Sequence, residues 1–247
     1  MKFIDTHIHL QDFKTRCATD IVSAGKKAGV EKFVCASVIR EDWAKISALY
    51  EEFPENIVPA FGLHPWYVNK TGLGWEAELE KMLAEYPKAL VGETGLDRLH
   101  FPDKEPQNEI FLKQIELAKK YKRPLLIHAV KCQEWLENYW AILPEKFVFH
   151  SYNGKSELLK KIVSRNGYVS FSASILKNRD KEKILKAVPP ERILLETDGP
   201  YQSFYPRQES FPDFIPELAE EIARIRGEDM ELFADRVYQN SLEFVQC

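Results

Sequence analysis

The sequence predicts one α/β domain over residues 1–247, built as a single (β/α)8 barrel of the TIM type. Three observations carry this expectation. The length of 247 residues matches the ~250 typical of one such barrel. Eight short apolar runs alternate with segments of helical periodicity. His7, His9, Glu93, His128, His150 and Asp198 each lie at or just past the end of one of those runs. That is the end at which such a barrel gathers its functional groups.

The runs cover residues 2–6, 32–37, 57–62, 89–93, 124–128, 146–150, 167–172 and 192–196. They are mostly apolar rather than alternating, as strands covered by helices on both sides must be. Between them, Trp43, Ile46, Tyr50 and Phe53 form one stripe, and Trp75, Leu79, Met82, Leu83 and Tyr86 form a second. Leu218, Ile222 and Ile225 form a third, with Pro216 at its start and Gly227 past its end, as helix-end chemistry prefers. Each stripe reads as a helix face packed on a sheet. Strand followed by helix, repeated, implies a parallel sheet with right-handed crossovers. Periodicity leaves an open doubly wound sheet as the alternative. The ligand-type residues favour closure, because groups on the first, fourth, fifth, sixth and eighth runs meet easily only across a closed barrel. Residues 96–106 and 199–216 read as irregular and are placed at the mouth. The second stretch, with Tyr201, Tyr205, Phe211 and Phe214 among its aromatics, reads either as a substrate wall or as a packed cap.

The net charge of −4 excludes the global basic field of a tight, sequence-independent DNA binder. A bound divalent ion would add positive charge locally. Cys17, Cys35, Cys132 and Cys247 form no CxxC pair, which argues against a zinc knuckle or a disulfide framework. Cys35, inside a run, reads as a small buried apolar residue. No apolar stretch reaches ~18 residues, and the N-terminus enters a strand directly. The expectation is a reduced, cytoplasmic protein with no membrane partner and no obligate protein partner.

His7 and His9 are two residues apart in an extended run, so both imidazoles point the same way and can reach one ion. Glu93 stands between glycines in VGETGLD. A carboxylate at the end of a buried run is costly unless it is paired or bound to metal, and its two oxygens can bridge two ions. His128 and His150 end consecutive runs. Asp198 lies nearer the mouth than Glu196, so Asp198 is the expected ligand and proton acceptor and Glu196 a structural group. Glu93 and Asp198 are thus the expected catalytic carboxylates. Nitrogen and oxygen donors without thiolate suit two divalent ions, Mg2+ or Mn2+ with Zn2+ as a third choice. The imidazoles pull away from Mg2+. Two ions about 3.5–4 Å apart would share and acidify a water, with Asp198 taking its proton. His64 ends the third run and reads as a hydrogen-bond donor to phosphate or leaving group. His100 reads as a surface histidine. Lys131, Tyr152 and Arg207 are the expected substrate contacts, with Lys155, Lys177 and Arg179 as further loop cations.

Seven segments occur together and in order: DTHxHL at 5–10, GLHP at 62–65, GExGLD at 92–97, Gln107 with Phe111, PLLIH at 124–128, FH with a following glycine at 149–154, and LETDGP at 195–200. In these the chain resembles the TatD-related metal-dependent deoxyribonucleases, among the amidohydrolase-like metal barrels, along nearly its whole length. The resemblance implies His7, His9 and Glu93 on one ion, with Asp198 joining them, and Glu93, His128 and His150 on a second. It departs at Ala129-Val130-Lys131, at Ser151-Tyr152-Asn153-Gly154, and at residues 207–212 after the aspartate; none of these touches an expected ligand. The leading expectation is a metal-dependent deoxyribonuclease of exonuclease type acting on single-stranded or 3′-ended DNA. The alternative is a hydrolase of a small-molecule ester, amide or phosphoester on the same site. A non-catalytic metal-binding scaffold is the third.

Overall fold

In the computed structural model, which describes residues 1–100, 103–203, 205 and 208–246, the apolar runs become eight parallel strands ordered as in the chain. They are β1 (Phe3–Ile8), β2 (Val30–Ala36), β3 (Ile57–Phe61), β4 (Leu90–Asp97), β5 (Leu125–Val130), β6 (Phe147–Phe149), β7 (Tyr168–Phe171) and β8 (Ile193–Leu195). A helix follows each: α1 (Ala18–Lys27), α2 (Glu41–Glu52), α3 (Trp75–Glu85), α4 (Lys104–Tyr121), α5 (Gln133–Leu136), α6 (Ser156–Ser164), α7 (Lys181–Ala187) and α8 (Ile215–Arg226). The three stripes bury Trp43 and Ile46 on α2, Trp75, Leu79 and Leu83 on α3, and Leu218 and Ile222 on α8. Gly227 ends α8 at φ +71°, the left-handed turn that glycine makes without strain. A further helix absent from the sequence reading, α9 (Met230–Val245), starts at Asp229, whose carboxylate accepts from the amides of Glu231 and Leu232 at 3.0 Å. Such a cap satisfies two of the amides that a helix start leaves open. Among the described residues no helix is long and apolar enough to cross a membrane.

Two apolar layers hold the fold. One lies between strands and helices. The other fills the lumen, where Ile4, Val34, Ala36, Val58, Ala60, Leu90, Leu126, Val148, Tyr168 and Leu194 supply one or two side chains from every strand. Phe244 and Val245 of α9 pack against this lumen cluster. Each aliphatic side chain fully buried there contributes about 1.5–3 kcal/mol.

The lumen residues also show how the strands turn functional side chains inward. Side chains alternate along a strand, so one extra residue reverses the facing of everything after it. On β1 the pairing runs Asp5 with Phe33, then Ile8 with Cys35, three steps against two. Ile4 faces the lumen before the irregularity, and His7 and His9 face it afterwards. On β4 the same thing happens between Val91 and Thr94, paired with Leu125 and Ile127. Leu90 faces in before it, Glu93 and Asp97 after it. Thr94 then faces out, where its hydroxyl meets Gln114 of α4 at 2.5 Å.

The ladder between β8 and β1 is reduced to a bridge between Ile8 and Gly199. Side chains complete the closure. The Asp5 carboxylate accepts from the Thr197 amide at 3.0 Å and the Thr197 hydroxyl at 2.5 Å. The Thr6 hydroxyl donates to the Leu195 carbonyl at 2.9 Å. The backbone amides of Asp198 and His9 donate to His7 and Gly199 at 2.9 and 2.7 Å. These bonds carry β1 two residues beyond the expected run. Burial pushes the Asp5 carboxyl up to about 7 despite its bonds to Thr197, so each of those bonds matters. Thr197→Val, which keeps the shape and removes the hydroxyl, is expected to cost about 1–3 kcal/mol. The melting temperature should then fall by roughly 2–4 °C per kcal/mol. An unchanged melting temperature would show that closure does not rest on this contact.

Candidate metal centre

Six of the residues singled out in the sequence converge at the mouth, and all are buried: His7, His9, Glu93, His128, His150 and Asp198. Their positions follow from the strands. His7 and His128 lie within β1 and β5, His9 and His150 one residue past β1 and β6, and Asp198 three past β8. Glu93 lies inside β4, because β4 runs on to Asp97. Two glycines make room for it. At Gly92, φ +142°, a Cβ would come within 2.6 Å of the Leu126 Cβ. At Gly95, φ +141°, a Cβ would strike the His128 carbonyl. Only glycine lets β4 lie this close to β5.

The two oxygens of Glu93 face two separate groups. Oε2 lies 3.2 Å from His7 Nε2 and 3.6 Å from His9 Nε2. These two nitrogens are 3.3 Å apart, and Asp198 Oδ1 lies 3.9 and 3.4 Å from them. Oε1 lies 2.9 Å from His128 Nδ1, 2.8 Å from His150 Nε2 and 3.2 Å from His64 Nε2. Donors about 2.0–2.1 Å from a common ion stand roughly 3.0–3.4 Å from one another. Most of the observed separations fall in or near that interval.

Hydrogen bonds on the far side of two rings fix which nitrogen faces in. His9 Nδ1 donates to the Ala36 carbonyl at 2.9 Å, so Nε2 presents its lone pair. His128 Nε2 donates to Asp97 Oδ2 at 3.1 Å, so Nδ1 presents its lone pair. Both lone pairs point at an anionic carboxylate. Acceptors facing acceptors in a buried site require a cation between them, a metal ion or protons on the rings. Where no ion is bound, protons on the rings can serve. Burial opposes charge on His9, but the Asp198 hydrogen bond and the Glu93 charge outweigh it and raise its pKa to about 9. His128 is raised as well, burial being outweighed by its bonds to Asp97 and Glu93. His150 is raised well above its ordinary value, chiefly by the Glu93 charge acting against burial. Its Nδ1 lies 3.5 Å from Glu196 Oε1 without a formed hydrogen bond, so this is a charge contact. Glu93 itself sits well below the carboxylate range; burial would raise it, and His150 with the other facing imidazoles lowers it. The donor set therefore fits divalent metal, which His7, His9, Glu93, His128, His150 and Asp198 would hold.

His64 differs from these rings. Its Nδ1 accepts from the Trp66 amide at 3.1 Å, so the proton of the neutral ring is on Nε2, the atom facing Glu93. Burial lowers its pKa to about 4. With the ring neutral, it presents an N–H at the mouth, although its Nε2 also lies with Glu93 and His128 in a group that could hold a metal ion.

Several neighbours escaped the sequence reading. Asp97 is fully buried and accepts from His128, from Trp66 Nε1 at 2.6 Å, and from the amides of Leu99 and His100 at 2.8 and 3.0 Å. Burial would raise its pKa, and those bonds, led by His128, hold it below the usual range. It orients His128 as an outer carboxylate orients a metal-binding histidine. The signal was present, since Asp97 is four residues after Glu93 on the same strand face. Gln202 donates to Asp198 Oδ2 at 2.7 Å, leaving Oδ1 toward His7 and His9. His100 is exposed, as expected of a surface histidine, and its ring reaches Asp97 Oδ2 at 3.1 Å and packs 4.4 Å from the Trp66 ring. Lys131, Ser151, Asp198 and Gln202 all adopt positive φ, between +44° and +53°. Backbone strain of this kind concentrates where function holds it.

The centre opens into a cavity of about 420 Å3, lined also by Trp66, Tyr67, His100 and Tyr201. Lys131 and Tyr152 line a neighbouring cavity instead. The Tyr152 hydroxyl is bonded to the Lys155 carbonyl at 2.7 Å. Lys177 is bonded to the Ser203 carbonyl at 3.0 Å. Arg207 lies outside the described residues.

A (β/α)8 barrel with a histidine and carboxylate cluster at the C-terminal ends of its strands is the architecture of a metal-dependent hydrolase. The family model for the TatD related DNases matches residues 4–246, and the chain belongs to that family. It is 30% identical over 258 residues to the uncharacterized metal-dependent hydrolase YabD of Bacillus subtilis (strain 168), covering 96% of each chain. It is 28% identical over 263 residues to the deoxyribonuclease TATDN3 of Homo sapiens, covering 97% of this chain and 93% of that one. The crystal structure of YJJV, a TatD homologue from Escherichia coli K12, superposes with a TM-score of 0.89 at 26% identity, over 98% of this chain and 97% of that one. The chain is a metal-dependent hydrolase of this family.

Two outcomes are expected from metal titration. Ligation needs unprotonated imidazoles, and His9 holds its proton up to about 9 rather than the ordinary 6.5. Mn2+ affinity should therefore rise with pH across that window, with protons released on binding. Calorimetry in buffers of different ionisation enthalpy measures both, and a pH-independent affinity would contradict the protonated resting state. Asp97→Asn should weaken Mn2+ binding about 10–100-fold; an unaltered affinity would remove Asp97 from the support of the centre.

Proposed function

We propose that this chain is a divalent-metal-dependent deoxyribonuclease that shortens single-stranded DNA from an end. The observation that carries the reading is the pair of imidazole lone pairs, on His9 and His128, held from outside and aimed at the two oxygens of one buried carboxylate. His7, His9, Glu93 and Asp198 would hold one ion, and Glu93, His128 and His150 the other. Ions bound there supply an acidified water and neutralise charge on the phosphoryl oxygens. The imidazoles favour Mn2+ or Zn2+ over Mg2+.

The remaining steps belong to the chain. Asp198 is gripped by Gln202 through Oδ2 and takes the proton of the attacking water. Glu93, held anionic by the facing histidines, fixes the spacing of the two groups. His64 Nε2–H donates to a phosphoryl oxygen or to the departing one. Trp66, 42% exposed, and Tyr201, 52% exposed, offer aromatic faces on which a base can stack. A cavity of about 420 Å3 is near the small end of ligand pockets, ~300–1,000 Å3. It suits one nucleotide of a single strand and not a duplex. The name of the human relative, a deoxyribonuclease, supports DNA as the substrate.

One observation favours a second reading, a hydrolase of a small ester or phosphoester: no lysine or arginine lines the catalytic cavity among the described residues. End-labelled single-stranded DNA with Mn2+ separates the two. The wild type should shorten it stepwise, and Asp198→Asn should lose about 10²–10⁴-fold in rate. No shortening with Mg2+, Mn2+ or Zn2+, together with turnover of small phosphoesters, would replace the nuclease reading with the second.

A further inference from the structure

Beside the catalytic cavity lies another of about 400 Å3. The two share a wall: Ala129, Val130, His150, Ser151 and Asn153 line both. Their chemistry differs. The catalytic cavity has imidazoles, carboxylates and aromatics. The second is lined by Arg98, Lys131 and Lys155, with Glu134 as its one acidic residue among the described residues. Glu134 sits 3.6 Å from Arg98 and offsets that charge in part. Lys131 and Lys155 have no ion-pair or side-chain hydrogen-bond partner among the described residues. Both flank the shared wall, Lys131 just after β5 and Lys155 just before α6.

A polyanion emerging from the catalytic cavity meets two different environments. On one side are Trp66, Tyr67 and Tyr201, which offer rings but no charge. On the other is a cavity with two uncommitted ammonium groups and a guanidinium. Phosphates of a single strand recur once per nucleotide, and each needs a counter-charge where it leaves bulk solvent. We infer that the cavity lined by Arg98, Lys131 and Lys155 is the subsite for the phosphodiester adjacent to the scissile one. The substrate class is then a single-stranded polynucleotide end with at least one phosphate beyond the bond that is cut. This inference rests on the nuclease reading and deepens it, because it names what distinguishes a strand from an isolated phosphoester.

The test compares a single-stranded decathymidylate with thymidine 5′-monophosphate p-nitrophenyl ester, which has one phosphodiester and no neighbour. Both are assayed with Mn2+ at several KCl concentrations, for the wild type, Lys131→Ala/Lys155→Ala and Lys131→Arg/Lys155→Arg. In the alanine variant the ratio of kcat/KM for the decamer to that for the ester should fall about tenfold. Its salt slope on the decamer should flatten by about 0.7 for each phosphate contact removed. The arginine variant should restore both. A preserved ratio with an unchanged salt slope, in a variant that still turns over the ester, overturns the subsite alone. A wild type that cuts the ester and not the decamer overturns the nuclease reading and the subsite with it.

Discussion

A carboxylate crowded by imidazole lone pairs cannot stay buried without a cation, and Glu93 is such a carboxylate. Its surroundings commit it to that condition from several directions. Ala36 takes the outer proton of His9 and Asp97 that of His128, so neither ring can turn a donor inward while neutral. Gly92 and Gly95 bring β4 against β5, and the irregularities on β1 and β4 turn His7, His9 and Glu93 into the same space. The electrostatic demand is built by backbone geometry, and the ligands alone are half of it.

The two ends of the barrel divide the physical tasks. At the end where the chain begins, the lumen is filled by aliphatic and aromatic side chains and packed by Phe244 and Val245. This burial supplies stability that the mouth does not. The mouth holds buried charges and four non-glycine residues at positive φ, all of which cost free energy. Between the two lies a polar belt, where Asp5, Thr6, Ser170 and Thr197 bond across β7, β8 and β1. The belt replaces the missing ladder at the seam and holds Asp198 level with His7 and His9.

The sequence made much of this legible, for physical reasons. Eight buried parallel strands must be apolar along their length, and helices packed on them must carry stripes, so the order of elements could be read from hydropathy. The converging ligands could be read because histidines and carboxylates at run ends have few other uses. The irregularities on β1 and β4 could not, since an extra residue changes pairing without changing composition. For that reason β4 was ended at Glu93, four residues short, and Asp97 was treated as loop. His100 is exposed at the surface as read, and only its contact with Asp97 went unseen, because that contact depends on Asp97 lying under it. The short β6 and α5 reduced the rhythm without breaking it. The last helix, α9, has no strand before it and fell outside a strand-then-helix count. Tyr152 followed a ligand in sequence, but its hydroxyl is taken up by the Lys155 carbonyl.

The overall charge of −4 is compatible with a polyanionic substrate once the field is considered locally. Negative charge at the centre rests on Glu93 and Asp198, which face the imidazoles directly, and on Asp97 behind His128. Ions bound there would offset the carboxylate charge that faces the cavity. His64, neutral with its proton on Nε2, adds a donor without adding charge to be repelled by those ions. A lysine or arginine lining the same cavity would compete with the ions for Glu93 and Asp198 and raise the cost of loading. Among the described residues none lines it. The subsite inferred beyond the shared wall would let phosphates meet Arg98, Lys131 and Lys155 without bringing those cations among the ligands.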